Sequence, residues 1–267
     1  MKLKGIIFDV DGTIADTEEI HRNAFNATFS DFKLDWHWSK SEYHKLLFIS
    51  GGKERIKKCL EQDMPLKNNV DFIKKLHDCK SENYRLMLLE SNIELRPGIK
   101  RLLNEAKAKN ITLGIATNSS TANFNILMQK TMDVDPNELF STIVTSDVVS
   151  NKKPSPEVYI RALSNLNLSA SNCIAIEDTA NGNTSALNAD LPTVITTHAY
   201  TVDNDFTGSS LVLNNLGEPN SDFISSDEFD CKRGYVDIEL LNDIMEERYR
   251  FFIKKKLDRK INSEYKK

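Results

Sequence analysis

The chain carries little that would tie it to an oxidising compartment, a membrane or a nucleic acid. Its four cysteines, Cys59, Cys79, Cys173 and Cys231, are scattered and form no C-x-x-C pair, so reduced thiols in a cytoplasmic protein are expected. No apolar run approaches the ~20 residues of a membrane span. No secretory leader is expected either, because Met1-Lys2-Leu3-Lys4 leads directly into a strand that contains Asp9. Internal repeats and long low-complexity tracts are missing. The formal net charge of −4 gives no general reason to expect a nucleic-acid partner. What remains is a chain of 267 residues, 40% hydrophobic and 28% charged. That composition suits a soluble globular protein of one large domain or two modest ones, and a monomer is the expectation.

Short apolar runs and amphipathic stretches divide the chain. Leu3 to Val10 reads as a buried strand, since Ile6-Ile7-Phe8 is continuous and not alternating. Residues 15–93 then read as helical, with no convincing strand. Thr17 followed by Glu18-Glu19 suits a helix start, and Ile20, Ala24, Ala27 and Thr28 follow at helical spacing. Gly51-Gly52 marks a loop before a helix over Lys53–Glu61. Another helix is predicted over Asn69–Leu89, with Phe72, Ile73, Leu76, Tyr84 and Leu88 buried.

From residue 94 the pattern changes. Helices are predicted from Pro97 to Lys109, Ser120 to Thr131, Pro156 to Leu166 and Ala180 to Ala189. They alternate with strands at Ile111–Ala116, Thr142–Val144, Cys173–Ile176 and Thr193–Thr196. Such alternation means βαβ units and a parallel sheet. The fold expected is therefore α/β: a doubly wound parallel-sheet core from residues 1–14 and 94–217, with an α-helical cap inserted over 15–93. Residues 218–267 form an extension, with a helix over Tyr235–Phe252 docked on the core and a polar, basic, frayed tail over Lys254–Lys267.

Ligands of doubly wound sheets bind beyond the carboxyl ends of the strands, and polar clusters stand there. Asp9 and Asp11 follow Ile6-Ile7-Phe8. Thr117-Asn118-Ser119 follow Leu113-Gly114-Ile115-Ala116. Glu177-Asp178 follow Cys173-Ile174-Ala175-Ile176, and Lys152-Lys153-Pro154 precedes a helix. Taken singly, such residues are ordinary turn and cap formers. In this order they resemble the haloacid dehalogenase superfamily of phosphohydrolases. The D-x-D-G-T motif stands as Asp9-Val10-Asp11-Gly12-Thr13, and Thr117, Lys153 and Glu177-Asp178 supply the other three motifs. The stretches "DTEEIHRNAF", "GGKERI", "ELRPGI", "KKPSPEVY" and "EDTANG" are similar to the CbbY-type branch, close to β-phosphoglucomutase-like enzymes. "LGEP" and "GYVDIELL" resemble longer CbbY-like proteins of photosynthetic lineages.

The resemblance implies a Mg²⁺-dependent sugar-phosphate phosphatase, with xylulose 1,5-bisphosphate as the expected substrate. Asp9 would be the nucleophile and form an aspartyl-phosphate. Asp11 would serve as acid and base, with a raised pKa expected of an acid among acids. Mg²⁺ prefers hard oxygen ligands. Asp9 and Asp178 would supply side-chain oxygens, Asp11 its backbone carbonyl, and Glu177 would help hold the site. Thr117, Asn118 and Lys153 would hold the transferring phosphate. In the cap, Glu18, His21, Gly52, Lys53 and Arg55 are candidates for the rest of the substrate, a phosphorylated sugar that includes bisphosphates. Lys53, Arg55, Lys57 and Lys58 could equally be one solvated helix face. Lys152 is expected to face solvent, His44 and His77 to be structural or exposed, and Trp36 and Trp38 to pack inside the cap. Two other readings stay open: a β-phosphoglucomutase-type transfer between sugar positions, and a catalytically silent phosphate-binding protein. A dehalogenase is disfavoured, since that chemistry needs neither the metal acids nor Asp11.

Overall fold

A computed structural model of the chain describes residues 2–63, 69–132, 134–225 and 234–247. Its centre is strand β1 (Gly5–Phe8), buried at every residue. Among the described residues, β1 is followed by helices α1 (Glu18–Asp31), α2 (Lys40–Leu46), α3 (Gly52–Asp63) and α4 (Val70–Glu90). Then follow α5 (Ile99–Ala108), β2 (Thr112–Ala116), α6 (Thr121–Thr131), α7 (Pro136–Leu139), β3 (Thr142–Val144), α8 (Glu157–Leu166), β4 (Cys173–Glu177), α9 (Ala180–Asn188), β5 (Thr193–Thr196) and β6 (Leu211–Leu213). Helix α10 runs over 238–247, where the described residues end.

The sheet order is β3-β2-β1-β4-β5-β6, and every pairing is parallel. The order reverses beside β1, so the crevice for ligands falls at the carboxyl ends of β1, β2 and β4. Alternation along buried strands explains the two apolar layers. Ile6 and Phe8 of β1, Leu113 and Ile115 of β2 and Ile174 and Ile176 of β4 share one core with α5, α6 and α10. Ile7, Cys173 and Ala175 face the other way, against Val158, Tyr159 and Ala162 of α8 and Ala186 of α9. A third cluster fills the helical insertion. Trp38 is wedged between Phe25 and Phe29, with ring centroids 4.7 and 4.8 Å away, and Trp36 meets Phe29 edge-on. Both tryptophans therefore pack, as expected.

Caps explain where several helices begin. The Asn69 side chain accepts the Phe72 N–H at 2.8 Å, and Ser120 and Thr179 do the same for Asn123 and Gly182. Three details depart from expectation. Helix α5 starts at Ile99, not Pro97, because Gly98 occupies its cap position. Strand β6 and helices α2 and α7 add to the expected elements: β6 is three residues long, α2 begins with a capping box of Ser39 and Glu42, and α7 is one turn capped by Asp135. Helix α10 starts at 238, not Tyr235, because Val236 pairs through its backbone with Leu216. Its expected end at Phe252, the tail Lys254–Lys267 and Cys231 lie outside the described residues.

Helix α10 does dock on the core, through Leu241, Ile244 and Met245. Arg101 of α5 holds the docked segment. Its guanidinium donates to the carbonyls of Leu216, Gly217 and Val236, pairs with Glu218 at 3.2 Å and lies over the Tyr235 ring. Arg101→Ala removes this donor from the Gly217 and Val236 carbonyls and loses the Glu218 pair, and should cost about 2–4 kcal/mol. Thermal unfolding should show a Tm lower by roughly 5–10 °C, and an unchanged Tm would contradict this role.

Candidate active site

The end of β1 is tied to β4 by the Asp9 N–H, which donates to the Ile176 carbonyl at 3.0 Å. That bond sets Asp9 beside Glu177 and Asp178. All three acids are buried, and one oxygen from each lies within 4.8 Å of the others. Lys153, 3% exposed, reaches in from the loop before α8. Its ammonium donates to Asp9 Oδ1 at 2.5 Å and to Glu177 Oε1 at 2.6 Å. Glu177 Oε1 also accepts the Tyr159 hydroxyl, and its Oε2 accepts the Asp178 N–H at 3.3 Å. Glu177 thus holds Lys153 as much as it faces any ion. Helix α9 comes this close only because Gly182 has no side chain: a Cβ there would overlap the Glu177 carboxylate.

Charge in this cluster does not balance. Burial pushes the Asp9 carboxyl well up; Lys153 pulls it down, and Glu177 and Asp178 push it further up. Glu177 is raised by the same burial and by Asp178, against Lys153. Asp9 and Glu177 share one lysine while Asp178 faces His198 and the Thr13 hydroxyl, so acids outnumber the lysine, and all the donors of the cluster are hard oxygens. The residues present therefore fit a divalent cation such as Mg²⁺.

Asp11 lies on the cap side and belongs to a separate hydrogen-bond group. Its Oδ1 accepts the Thr17 hydroxyl at 2.7 Å and the Tyr84 hydroxyl at 3.3 Å, with His21 Nε2 at 3.4 Å. The raised pKa expected for Asp11 is not found. Burial pushes it up, but the hydrogen bonds and charge of His21 and the Thr17 hydroxyl outweigh burial and hold it well below the usual carboxylate range. His21 stacks on Tyr84 with centroids 4.0 Å apart, and its Nδ1 accepts from Lys80 Nζ at 2.6 Å.

Lys80 is absent from the sequence-based candidates. It is 6% exposed, within hydrogen-bond reach of His21 and over the faces of Phe25 and Tyr84. A signal exists: Lys80 falls between Leu76 and Tyr84 on the four-residue stripe that α4 buries. A lysine there needs a reason.

The other candidates line one cleft of about 370 Å³ between core and cap. Thr117 is 1% exposed at the end of β2. The Asn118 side chain accepts the Lys153 N–H and donates to the Ser50 hydroxyl, which in turn donates to the Lys153 carbonyl. Core and cap loops meet through these bonds. Glu18 accepts the Tyr43 hydroxyl at 2.8 Å. Arg55 is held by the carbonyls of Leu46 and Ile49 and by Tyr43, so it is not one member of a solvated face. Gly52 and Lys53 also line the cleft, and Lys53 is exposed to it. Lys152 is half-buried in the same wall, contrary to the solvent exposure expected of it. His77 lies there too, brought down to about 4 by burial and by the charges of Lys80, Lys53 and Lys152. His44 is structural as expected, pairing with Asp203 at 2.9 Å.

A family model described as haloacid dehalogenase-like hydrolase matches residues 6–196. The protein CbbY of Rhodobacter capsulatus is 42% identical over 209 residues, covering 78% of this chain and 92% of that protein. The β-phosphoglucomutase of Bacillus subtilis is 27% identical over 191 residues, covering 67% of this chain and 77% of that protein. A mutant of CbbY from Rhodobacter sphaeroides, crystallised with xylulose 1,5-bisphosphate, superposes with a TM-score of 0.75 at 37% identity, covering 81% of this chain and 96% of that one.

Burial brings the Lys80 ammonium down to about 7, against the neighbouring charges of Glu18 and Asp11. Its folded pKa lies below its unfolded one, so the folded state binds fewer protons from about pH 7 to pH 10. The resulting destabilisation is full below about pH 7 and fades as pH rises to the unfolded value. Lys80→Met should therefore be about 2 kcal/mol more stable than wild type at pH 6, with the gap closing towards pH 10 in denaturant titrations. Turnover should fall about tenfold or more as His21 loses its anchor. A variant less stable at pH 6 would contradict this assignment.

Proposed function

The chain belongs to the haloacid dehalogenase-like hydrolases, and on that premise we propose that it is a Mg²⁺-dependent sugar-phosphate phosphatase acting on xylulose 1,5-bisphosphate. A monomer in the cytoplasm is part of this reading. Among the described residues, no helix is long and apolar enough to cross a membrane. The observation that carries the reading is the buried constellation of Asp9, Glu177 and Asp178 around Lys153, with Asp11 held apart by its own donors.

Asp9, Asp178, the Asp11 backbone carbonyl and Glu177 would hold the cation. When bound, it would offset the repulsion between anionic nucleophile and anionic substrate. An Asp9 oxygen attacks phosphorus, forming an aspartyl-phosphate while the bond from phosphorus to the sugar oxygen breaks. Asp11 gives a proton to the departing sugar oxygen. Water then attacks phosphorus, Asp11 takes the water's proton, and the bond to Asp9 breaks to release phosphate. The low pKa of Asp11 without substrate suits the second step. The first requires that a bound dianionic phosphate oppose its ionisation and raise that pKa. Lys153, the Thr117 hydroxyl and the Asn118 N–H neutralise and hold the phosphoryl oxygens.

A bisphosphate has a second anionic end. Lys53 from the cap and Lys152 from the core both lie close enough to His77 to lower its pKa, and Arg55 shares their cleft. That concentration of positive charge supports a ligand with a second phosphate, and the xylulose 1,5-bisphosphate complex of the Rhodobacter sphaeroides relative supports the same choice. Glu18 and His21 would face the sugar between the two ends.

Purified protein with Mg²⁺ should release phosphate from xylulose 1,5-bisphosphate faster than from β-glucose 1-phosphate or an aryl phosphate. Glucose 6-phosphate formed from β-glucose 1-phosphate would move the reading to a mutase, and silence on every ester would leave a binding protein. Asp9→Asn should keep its fold and lose at least about 10³-fold in turnover. Lys152→Ala should raise KM for the bisphosphate about tenfold, and for a monophosphate little. Equal effects on both would contradict the second anionic subsite.

A further inference from the structure

We propose that His198 is a positioning residue for the cation site: it fixes the carboxylate of Asp178 so that this group presents its free lone pairs to the ion. The inference rests on the reading that Asp9 and Asp178 hold a divalent cation. His198 follows β5, the strand that pairs Ile195 with Glu177, so the turn after β5 passes directly beside Asp178.

The geometry is specific. His198 Nε2 lies 3.0 Å from Asp178 Oδ2, and the imidazole is 4% exposed. The ring is fixed by its own turn. The His198 N–H donates to the Thr201 hydroxyl at 3.1 Å. The His198 carbonyl accepts the N–H groups of Thr201 and Val202, and the Tyr200 N–H points at Nδ1 from 3.3 Å. With Nδ1 accepting, the hydrogen-bond pattern places the ring proton on Nε2, which donates to Asp178. The opposite oxygen, Asp178 Oδ1, accepts the Thr13 hydroxyl at 3.0 Å. Two donors, one from the turn after β1 and one from the turn after β5, thus hold the two oxygens and stop rotation of the carboxylate. A ligand held in this way loses less freedom when the ion binds.

A further observation supports the assignment. Gly12, at φ 89°, makes room for the pair: a Cβ there would overlap Asp178 Oδ2 and come within 2.8 Å of His198 Nε2. This motif glycine is thus needed by the His198–Asp178 bond as well as by the turn. The imidazole reaches Asp178 from the turn after β5. The same turn reaches the cap through Tyr200, whose hydroxyl donates to Glu19 of α1 and whose ring meets Tyr43 edge-on.

The test is cation binding to substrate-free protein, with Mn²⁺ read by the loss of its free electron paramagnetic resonance signal and Mg²⁺ measured by displacing it. His198→Leu should weaken both ions about 10–100-fold. His198→Gln, whose amide N–H reaches the same place, should stay within about threefold of wild type. His198→Asn, shorter by one methylene, should resemble Leu and serves if the Leu variant does not fold; circular dichroism and Tm check each fold. Wild-type affinity in a folded Leu or Asn variant would overturn the proposal. So would a Gln variant as weak as Leu. If wild type itself binds neither ion, the cation reading falls first and takes this inference with it.

Discussion

One ammonium group, Lys153 Nζ, sits 2.5 Å from Asp9 and 2.6 Å from Glu177 in a region with almost no solvent. Burying three carboxylates together costs several kcal/mol per ion unless each is paired. The lysine, the Tyr159 hydroxyl and the donors on Asp178 offset much of that cost. The acids still outnumber the lysine, and this excess of hard oxygen donors is what fits the cluster to a divalent cation. The sheet order brings β1 and β4 side by side, Gly182 lets α9 close on Glu177, and Asn118 holds the Lys153 backbone. Each of these features serves the same contact.

The helical insertion contributes a different chemistry. It surrounds Asp11 with hydroxyls and an imidazole, and backs the imidazole with a buried lysine. Such an arrangement trades stability for function, since a lysine inside an apolar stripe is costly to keep charged. The two acids of the D-x-D pair thereby acquire different environments from one short loop. Asp9 faces Lys153 and the other acids; Asp11 faces the cap. Different environments allow different roles at one pH.

Much of this is legible in the order of residues along the chain. The unbroken run Ile6-Ile7-Phe8 marks a strand buried on both faces, and polar clusters at successive strand ends mark the ligand crevice. The core acids, Thr117 and Lys153 do come together. What stays hidden depends on partners far away in the chain. Asp11 reads as an acid among acids, but its own neighbours are Thr17, His21 and Tyr84. Lys152 reads as a surface residue, yet the fold sets it into the wall of the cleft. Lys80 is visible as a lysine on an apolar stripe, but its partner His21 lies 59 residues away. His198 follows an ordinary short strand, and only strand pairing brings it to Asp178.

The chemistry depends on whether Asp9 itself bonds to phosphorus beside a cation. A crystal structure of the protein with Mg²⁺ and beryllofluoride, which mimics an acyl phosphate, tests this most directly. Beryllium should be bonded to an Asp9 carboxylate oxygen, with Lys153 on its fluorides and the ion shared by Asp9 and Asp178. A mimic bound elsewhere in the cleft, with Asp9 turned away from both it and the ion, would contradict this role.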